Sequence, residues 1–146
     1  MRLDEKIAHI VSQMNPAPAF RYGREQDENV NADDAPFPAV VLIEPDQFGF
    51  RVAAQNGSVY DRNNIFIQFL DKTPVGMGEQ ANNRKSTIEA MKVKAVQFLR
   101  ILSQSNLFSA FGENVAGVPI IDYYDANVCG IEINIAQLTD TQPRPC

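Results

Sequence analysis

The stretch that most constrains this chain is residues 84–104, RKSTIEAMKVKAVQFLRILSQ, which runs without a glycine or proline. Ile88, Met91, Ala95, Phe98, Leu99 and Leu102 recur there at the i, i+3, i+4, i+7 spacing of one helical face. At roughly 100° per residue they form a single apolar stripe, while Glu89, Lys94, Gln97 and Arg100 point elsewhere, as a solvated face does. β-rich sequence lies on both sides of this helix, so the stripe is expected to lie on a sheet. Val93 and Ile101, with Ala90 and Gln97, make a second, weaker apolar line opposite the core. Either another segment of the chain covers that line or it is a subunit contact, since exposed apolar surface marks interfaces.

Before the long helix, Leu3, Ile7, Ile10, Val11 and Met14 share one face of a helix expected over 2–14, which Asn15-Pro16 ends. Residues 16–36 are polar, proline-bearing and acidic, and are expected to form a long loop or arm. Phe20 and Tyr22 sit in it without helical or strand periodicity, either as a flap over the core or as anchors for a partner. The run 37–44, FPAVVLIE, predicts a central strand buried on both faces, its start confined by Pro36 and Pro38. Residues 47–54 predict a second strand with Phe48, Phe50 and Val52 on one face. Asn56-Gly57 predicts a hairpin turn, because both residues tolerate positive φ. The chain returns through Val59 and Tyr60 into a third strand over 64–71, where Ile65, Ile67 and Phe69 alternate with Phe66, Gln68 and Leu70.

After the helix, 106–117 has no clear period, with Leu107, Phe108 and Phe111 interrupted by Ser, Ala and Gly. Residues 118–124 and 128–138 predict a closing strand pair, in which Cys129, Ile131, Ile133 and Ile135 face one way and Glu132 and Asn134 the other. The tail over 139–146, with Pro143 and Pro145, is expected to fray. The expected order αβββαββ is that of a single α+β domain over residues 1–146. It has one mostly antiparallel sheet, with the long amphipathic helix and the short N-terminal helix packed on one face.

Hydrophobic residues at 45% and charged residues at 21% exclude a mostly disordered chain, and 146 residues suffice for one core. A net charge of −5 leaves no electrostatic footprint for nucleic-acid phosphates. The five basic residues within 84–100 spread around the polar arc of the helix and read as solubilising. No run approaches the roughly 18 apolar residues of a membrane span, and the Asp4-Glu5 start is unlike a signal peptide. Folding in a cytoplasm is therefore expected. Two cysteines are too few for a disulfide framework or metal cluster, and Cys129 reads as a buried small hydrophobe. Asn56-Gly57-Ser58 matches a glycosylation acceptor without a secretory context.

Several motifs bear on chemistry. Gly76-Met77-Gly78-Glu79-Gln80-Ala81 fits G-x-G-x-x-A between a strand and a helix, but residues 96–104 lack the acidic residue that would hold a ribose. Lys85-Ser86 resembles the end of a phosphate-binding loop, except that Arg84 stands where a glycine must let the backbone curl. His9, the only histidine, has no nominated partner for general-base work. Asp122, Asp125 and Asn127 offer oxygen ligands without the spacing of a calcium loop, and a turn uses such residues on its own account. No catalytic residue, cofactor or metal is expected, and the chain is not expected to be an enzyme. A second hypothesis, from another class, is a small-molecule or nucleotide-binding domain in which the loop from Gly76 to Arg84 and the following helix N-terminus hold an anion.

Taken whole, the chain resembles the tail terminator or tail-completion proteins of long-tailed bacteriophages, and their relatives in head-to-tail connectors. The resemblance lies in a short N-terminal helix, a variable polar loop and a proline-flanked strand such as Ala35-Pro36-Phe37-Pro38-Ala39-Val40-Val41-Leu42. A β-hairpin, a strand such as Asn64-Ile65-Phe66-Ile67-Gln68-Phe69-Leu70, one long helix, and a closing pair over 120–124 and 130–135 complete it. Leu107 to Phe111 has no place on that pattern, and the hairpin here is long. The resemblance implies a structural virion protein of the tail or neck, assembled in the host cytoplasm. It would form a homo-oligomeric ring, of about six subunits for a terminator or about twelve for a connector or adaptor. Its implied partners are its own copies, the tail tube and head-connector proteins, with DNA only as cargo passing through the lumen and no membrane. Val93 and Ile101, then Phe20 and Tyr22, are the expected subunit contacts.

Overall fold

A computed structural model of the protein describes residues 2–24, 36–73, 80–109, 111–112, 114–121 and 128–145. The chain runs α1 (Leu3–Ser12), β1 (Ala19–Gly23), β2 (Ala39–Ile43), β3 (Phe48–Val52), β4 (Val59–Lys72), α2 (Gln80–Gln104), β5 (Ala116–Ile121) and β6 (Val128–Thr139). This is the α+β class, a six-stranded mixed sheet with one long and one short helix. It contains one strand more than the expected order. β1 lies inside the segment expected to be a loop and pairs in parallel with β2, from Ala19 with Ala39 to Gly23 with Ile43. Five residues at a sheet edge are too few to show a period, so only the partner strand reveals them.

Both helices follow from their local sequence. Asp4 and Glu5 sit in the first turn of α1, where the helix dipole favours carboxylates, and Glu5 Oε2 accepts the Arg2 backbone N–H at 3.4 Å. α2 spans 25 residues, about 37 Å at 1.5 Å per residue. It stops where Asn106 takes a φ of 61°, the left-handed conformation that ends a helix.

The strand order is β1-β2-β4-β6-β5, with β3 also on β4, and every pair except β1–β2 is antiparallel. β3 pairs with the first half of β4, Phe48 with Asn63 and Val52 with Val59. β2 pairs with the second half, Leu42 with Ile67 and Ala39 with Leu70. The two thus share one edge of β4 while β6 takes the other.

Alternation along the strands sends Ile65, Ile67, Phe69, Ile131, Ile133 and Ile135 to the helical face. There they meet Ile7, Ile10 and Val11 of α1 and Met91, Ala95, Phe98 and Leu102 of α2, the stripe expected from the sequence. The Phe69 and Phe98 rings pack edge to face at 5.6 Å. Between the pairs Ile65–Ile135 and Asn63–Leu138, β6 holds one residue more than β4. This bulge reverses the phase of β6, so Leu138 is buried while Ala136 and Gln137 are exposed. Phe108 is buried and bridges to Asp140, with Leu107, Phe111 and Val115 packed on the core around it. The segment that had no place in the sequence pattern therefore closes one end of the core. On the opposite sheet face Val41, Leu70, Ile120 and Val128 form a smaller cluster under Phe37 and Ile43. Cys129 is buried, as its place in the alternation implied.

The tail, expected to fray, is tied down as far as Arg144. Asp140 N–H donates to Asp61 O at 2.9 Å, Thr141 N–H to Leu107 O at 3.2 Å and Arg144 N–H to Val59 O at 2.7 Å. Two ion pairs reinforce it, Lys6 Nζ–Asp140 Oδ2 at 3.0 Å and Arg144 Nε–Asp61 Oδ1 at 2.7 Å. Composition does not show this because the partners come from α1, β4 and Leu107, all distant in sequence. The Lys6–Asp140 pair is nearly buried, and Lys6 Nζ also lies 5.4 Å from the Phe108 ring centre. Removing one member of such a pair strands the other charge. Lys6→Met should therefore lower stability in urea unfolding by about 3–5 kcal/mol, and Lys6→Met with Asp140→Leu should recover most of that loss; additive losses would refute the coupling. Gly130, opposite Leu70 on β4 and Ile120 on β5, sits where a Cβ would drive into the Phe69 carbonyl oxygen. Gly130→Ala should cost about 1–3 kcal/mol or more, whereas Gly117→Ala, whose Cβ would meet Glu132 O at 3.4 Å, should cost much less.

Candidate functional site

Large apolar side chains are uncovered at the β1 edge (Tyr22), on β5 (Val118 and Ile121) and on three surfaces that also form a groove or cleft. The first is the outer line of α2. Glu89, Val93, Val96 and Arg100 follow one another at helical spacing, and Val93 and Val96 are 70% and 47% exposed. With Lys92 and Ile101 they line a groove of about 650 Å³ beside Asn15 at the end of α1. Gln97 Nε2 donates to Asn15 O and Lys94 Nζ to Pro16 O, each at 3.3 Å, which fixes the crossing of the two helices.

The second surface is the β3–β4 hairpin. β3 pairing sets Phe48, Phe50 and Val52 opposite Asn63, Asp61 and Val59, in phase with Ile65 and hence on the helical side of the sheet. The hairpin extends past the helical cover, so these three are 76%, 51% and 63% exposed. The Phe48 and Phe50 rings stack edge to face at 5.7 Å. A cleft of about 640 Å³ separates Phe50 and Val59 from Pro143, Arg144 and Pro145 of the tail.

The third lies on the opposite sheet face, around Phe66, which is 40% exposed on a central strand. Glu44, Asp46 and Glu132 surround it, with Arg24 paired to Glu44 at 3.3 Å. Gln68 Nε2 donates to Glu132 Oε2 at 3.0 Å, and Asn134 Nδ2 to Asn64 Oδ1 at 2.7 Å, so polar groups line the middle of this face.

Of the four residues singled out from the sequence, Val93 lies in the α2 groove with its side chain outward. Ile101 is half-buried and packs against the core, as does Phe20 from β1. Tyr22 is exposed at the β1 edge. Val96 and Phe66 carried no signal in the sequence, and the alternation that puts Phe48, Phe50 and Val52 on one face does not tell that neither described helix reaches them. The signal for the hairpin was there, since a strand preceding an Asn-Gly turn with three apolar residues on one face must find cover somewhere.

His9 is exposed on α1, its Nε2 3.3 Å from Gln13 Nε2. Lys6, Asp61, Asp140 and Arg144 line one crevice but pair with each other, which makes it a fastening for the tail. Gly76 to Glu79 of the glycine loop, and Asp122, Asp125 and Asn127, lie outside the described residues. Among the described residues no group of three His, Cys, Asp or Glu is placed to hold a metal ion, and no helix is long and apolar enough to cross a membrane. No protein-family model matches the chain, and no curated protein does.

Burial, then the nearby Glu44 and Asp4 carboxylates, raise the Tyr22 phenol above its ordinary 10.0. The native state therefore holds this proton more tightly than the unfolded chain, so its contribution to stability is full below pH 10 and falls as the pH climbs through the folded value. Ultraviolet titration should show a phenol titrating above pH 10 that is missing in Tyr22→Phe; an unchanged curve in that variant would refute the assignment.

Proposed function

We propose that this chain is the repeating unit of a structural ring that ends a phage tail tube and joins it to the head. The observation that supports this reading is the placement of uncovered apolar side chains on different parts of one small domain. Val93 and Val96 face out from the helical layer, while Phe48, Phe50 and Val52 line a hairpin beyond it. Each is apolar area left in water, at about 25 cal/mol per Å². A two-fold dimer buries one patch against itself. Separate patches on different faces suit a head-to-tail contact, which closes into a ring when the rotation between copies allows. The same device serves a connector or adaptor ring, so the proposal covers both positions in the neck of the particle.

The charge balance suits the role. A chain of net charge −5 is compatible with a lumen through which DNA slides without sticking. The partners are then other copies of the chain, the tail tube and the head connector, and the place of action is the virion.

Light scattering across a wide concentration range, with negative-stain images of the largest species, should reveal a closed ring of about six or about twelve copies. Val93→Asp should abolish assembly while changing stability by less than about 0.5 kcal/mol, because the side chain is 70% exposed. A wild-type protein that stays monomeric at millimolar concentration would overturn the proposal.

A further inference from the structure

Independently of the ring reading, we infer that the tip of the β3–β4 hairpin is a site of self-modification. There the Gly57 backbone nitrogen converts the Asn56 side-chain amide into a carboxylate that shares a cleft with Arg144. Asn56 alone among the asparagines of the chain precedes a glycine. Both residues are exposed, and Gly57 takes a φ of 71° in the turn. A Cβ built on Gly57 would meet nothing within 4 Å, so neither a side chain nor the surroundings shield the peptide that joins the two residues.

The chemistry needs only neighbouring atoms and water. The Gly57 nitrogen attacks Asn56 Cγ and closes a five-membered imide. The bond from Cγ to Nδ2 breaks, and Nδ2 leaves as ammonia with the proton given up by Gly57. Water then opens the ring at either carbonyl, giving aspartate or, with the main chain rerouted through the side chain, isoaspartate. Attack within one dipeptide gains the proximity that a reaction between separate molecules lacks. Asn56 Oδ1 already accepts the Ser58 N–H at 3.0 Å, which polarises the amide carbonyl and stabilises the negative charge that builds on that oxygen. One contact opposes the attack, the bond from Gly57 N–H to Ala53 O at 2.9 Å. It is a single bond in an exposed turn, where local opening costs little.

The cleft also holds a partner for the product. Asn56, Gly57 and Ser58 line it together with Pro143, Arg144 and Pro145. Arg144 is fixed by Nε on Asp61 Oδ1 at 2.7 Å and by its N–H on Val59 O at 2.7 Å. A guanidinium favours an anion nearby over a neutral amide. The new carboxylate shares Arg144 with Asp61 and fastens the tail to the hairpin tip.

Purified protein held warm at mildly alkaline pH, then digested and mapped by mass spectrometry, tests this. The peptide containing Asn56 should gain the mass of an amide-to-acid exchange, in both aspartate and isoaspartate forms, with ammonia released in step. Gly57→Ala sets a methyl beside the attacking nitrogen, and Asn56→Gln keeps the amide but demands a six-membered ring. Each should slow the gain severalfold with circular dichroism unchanged. Arg144→Gln should slow it as well, whereas Arg144→Lys, which keeps the charge, should not. In the modified protein, hydrogen exchange at the Arg144 N–H should be slower than before. A peptide that keeps its mass, or a gain that both Gly57→Ala and Asn56→Gln leave unchanged, would overturn the site. A rate and an Arg144 exchange that ignore each other would overturn the role given to Arg144.

Discussion

The ladder between β4 and β6 runs from Arg62 with Thr139 to Lys72 with Val128, and the other strands attach to one or other of its members, directly or through β2. It needs close backbone approach, which is why position 130 must be glycine, and it needs Ile65, Ile67 and Phe69 in phase with Ile131, Ile133 and Ile135. Once that phase is set, the helical face is defined and both helices have one place to go. The β6 bulge extends the same logic to the end of the strand by turning Leu138 inward where strict alternation would bury Gln137. Lys6 and Asp140 then close the far side, coupling the first helix to the tail.

Much of this was legible in the sequence because it depends on period. The 3.6-residue repeat of Met91, Ala95, Phe98 and Leu102 and the two-residue repeat of Ile65, Ile67 and Phe69 each report their own surroundings, and burial follows both. What escaped depends on partners distant in the chain. β1 is a strand because β2 lies beside it, and the tail is ordered because Asp61, Leu107 and Val59 receive its hydrogen bonds. Leu107 and Phe108 close the core although no local repeat announces them. Candidate contact residues were harder still. A second apolar line can be read from helical spacing, but whether Val93 is covered or Ile101 turned inward is settled by where α1 crosses, and that crossing has no local signature.

Exposure on this domain follows from where the helical cover stops. The alternation that builds the core continues through Val59, Asp61 and Asn63 into the hairpin, so β3 presents a core-like face that no other described element covers. Among the described residues β3 and β5 are also edge strands, each paired on one side only, and unpaired apolar edges invite association. Val118 and Ile121 on β5 add to this exposure. Monomeric proteins blunt such edges with charge or proline. β5 has Pro119, whereas β3 has neither proline nor lysine and only Arg51, which turns over the Tyr60 ring at 4.5 Å. The hairpin therefore keeps Phe48, Phe50 and Val52 exposed on a strand that carries neither of the residues most used to blunt an edge.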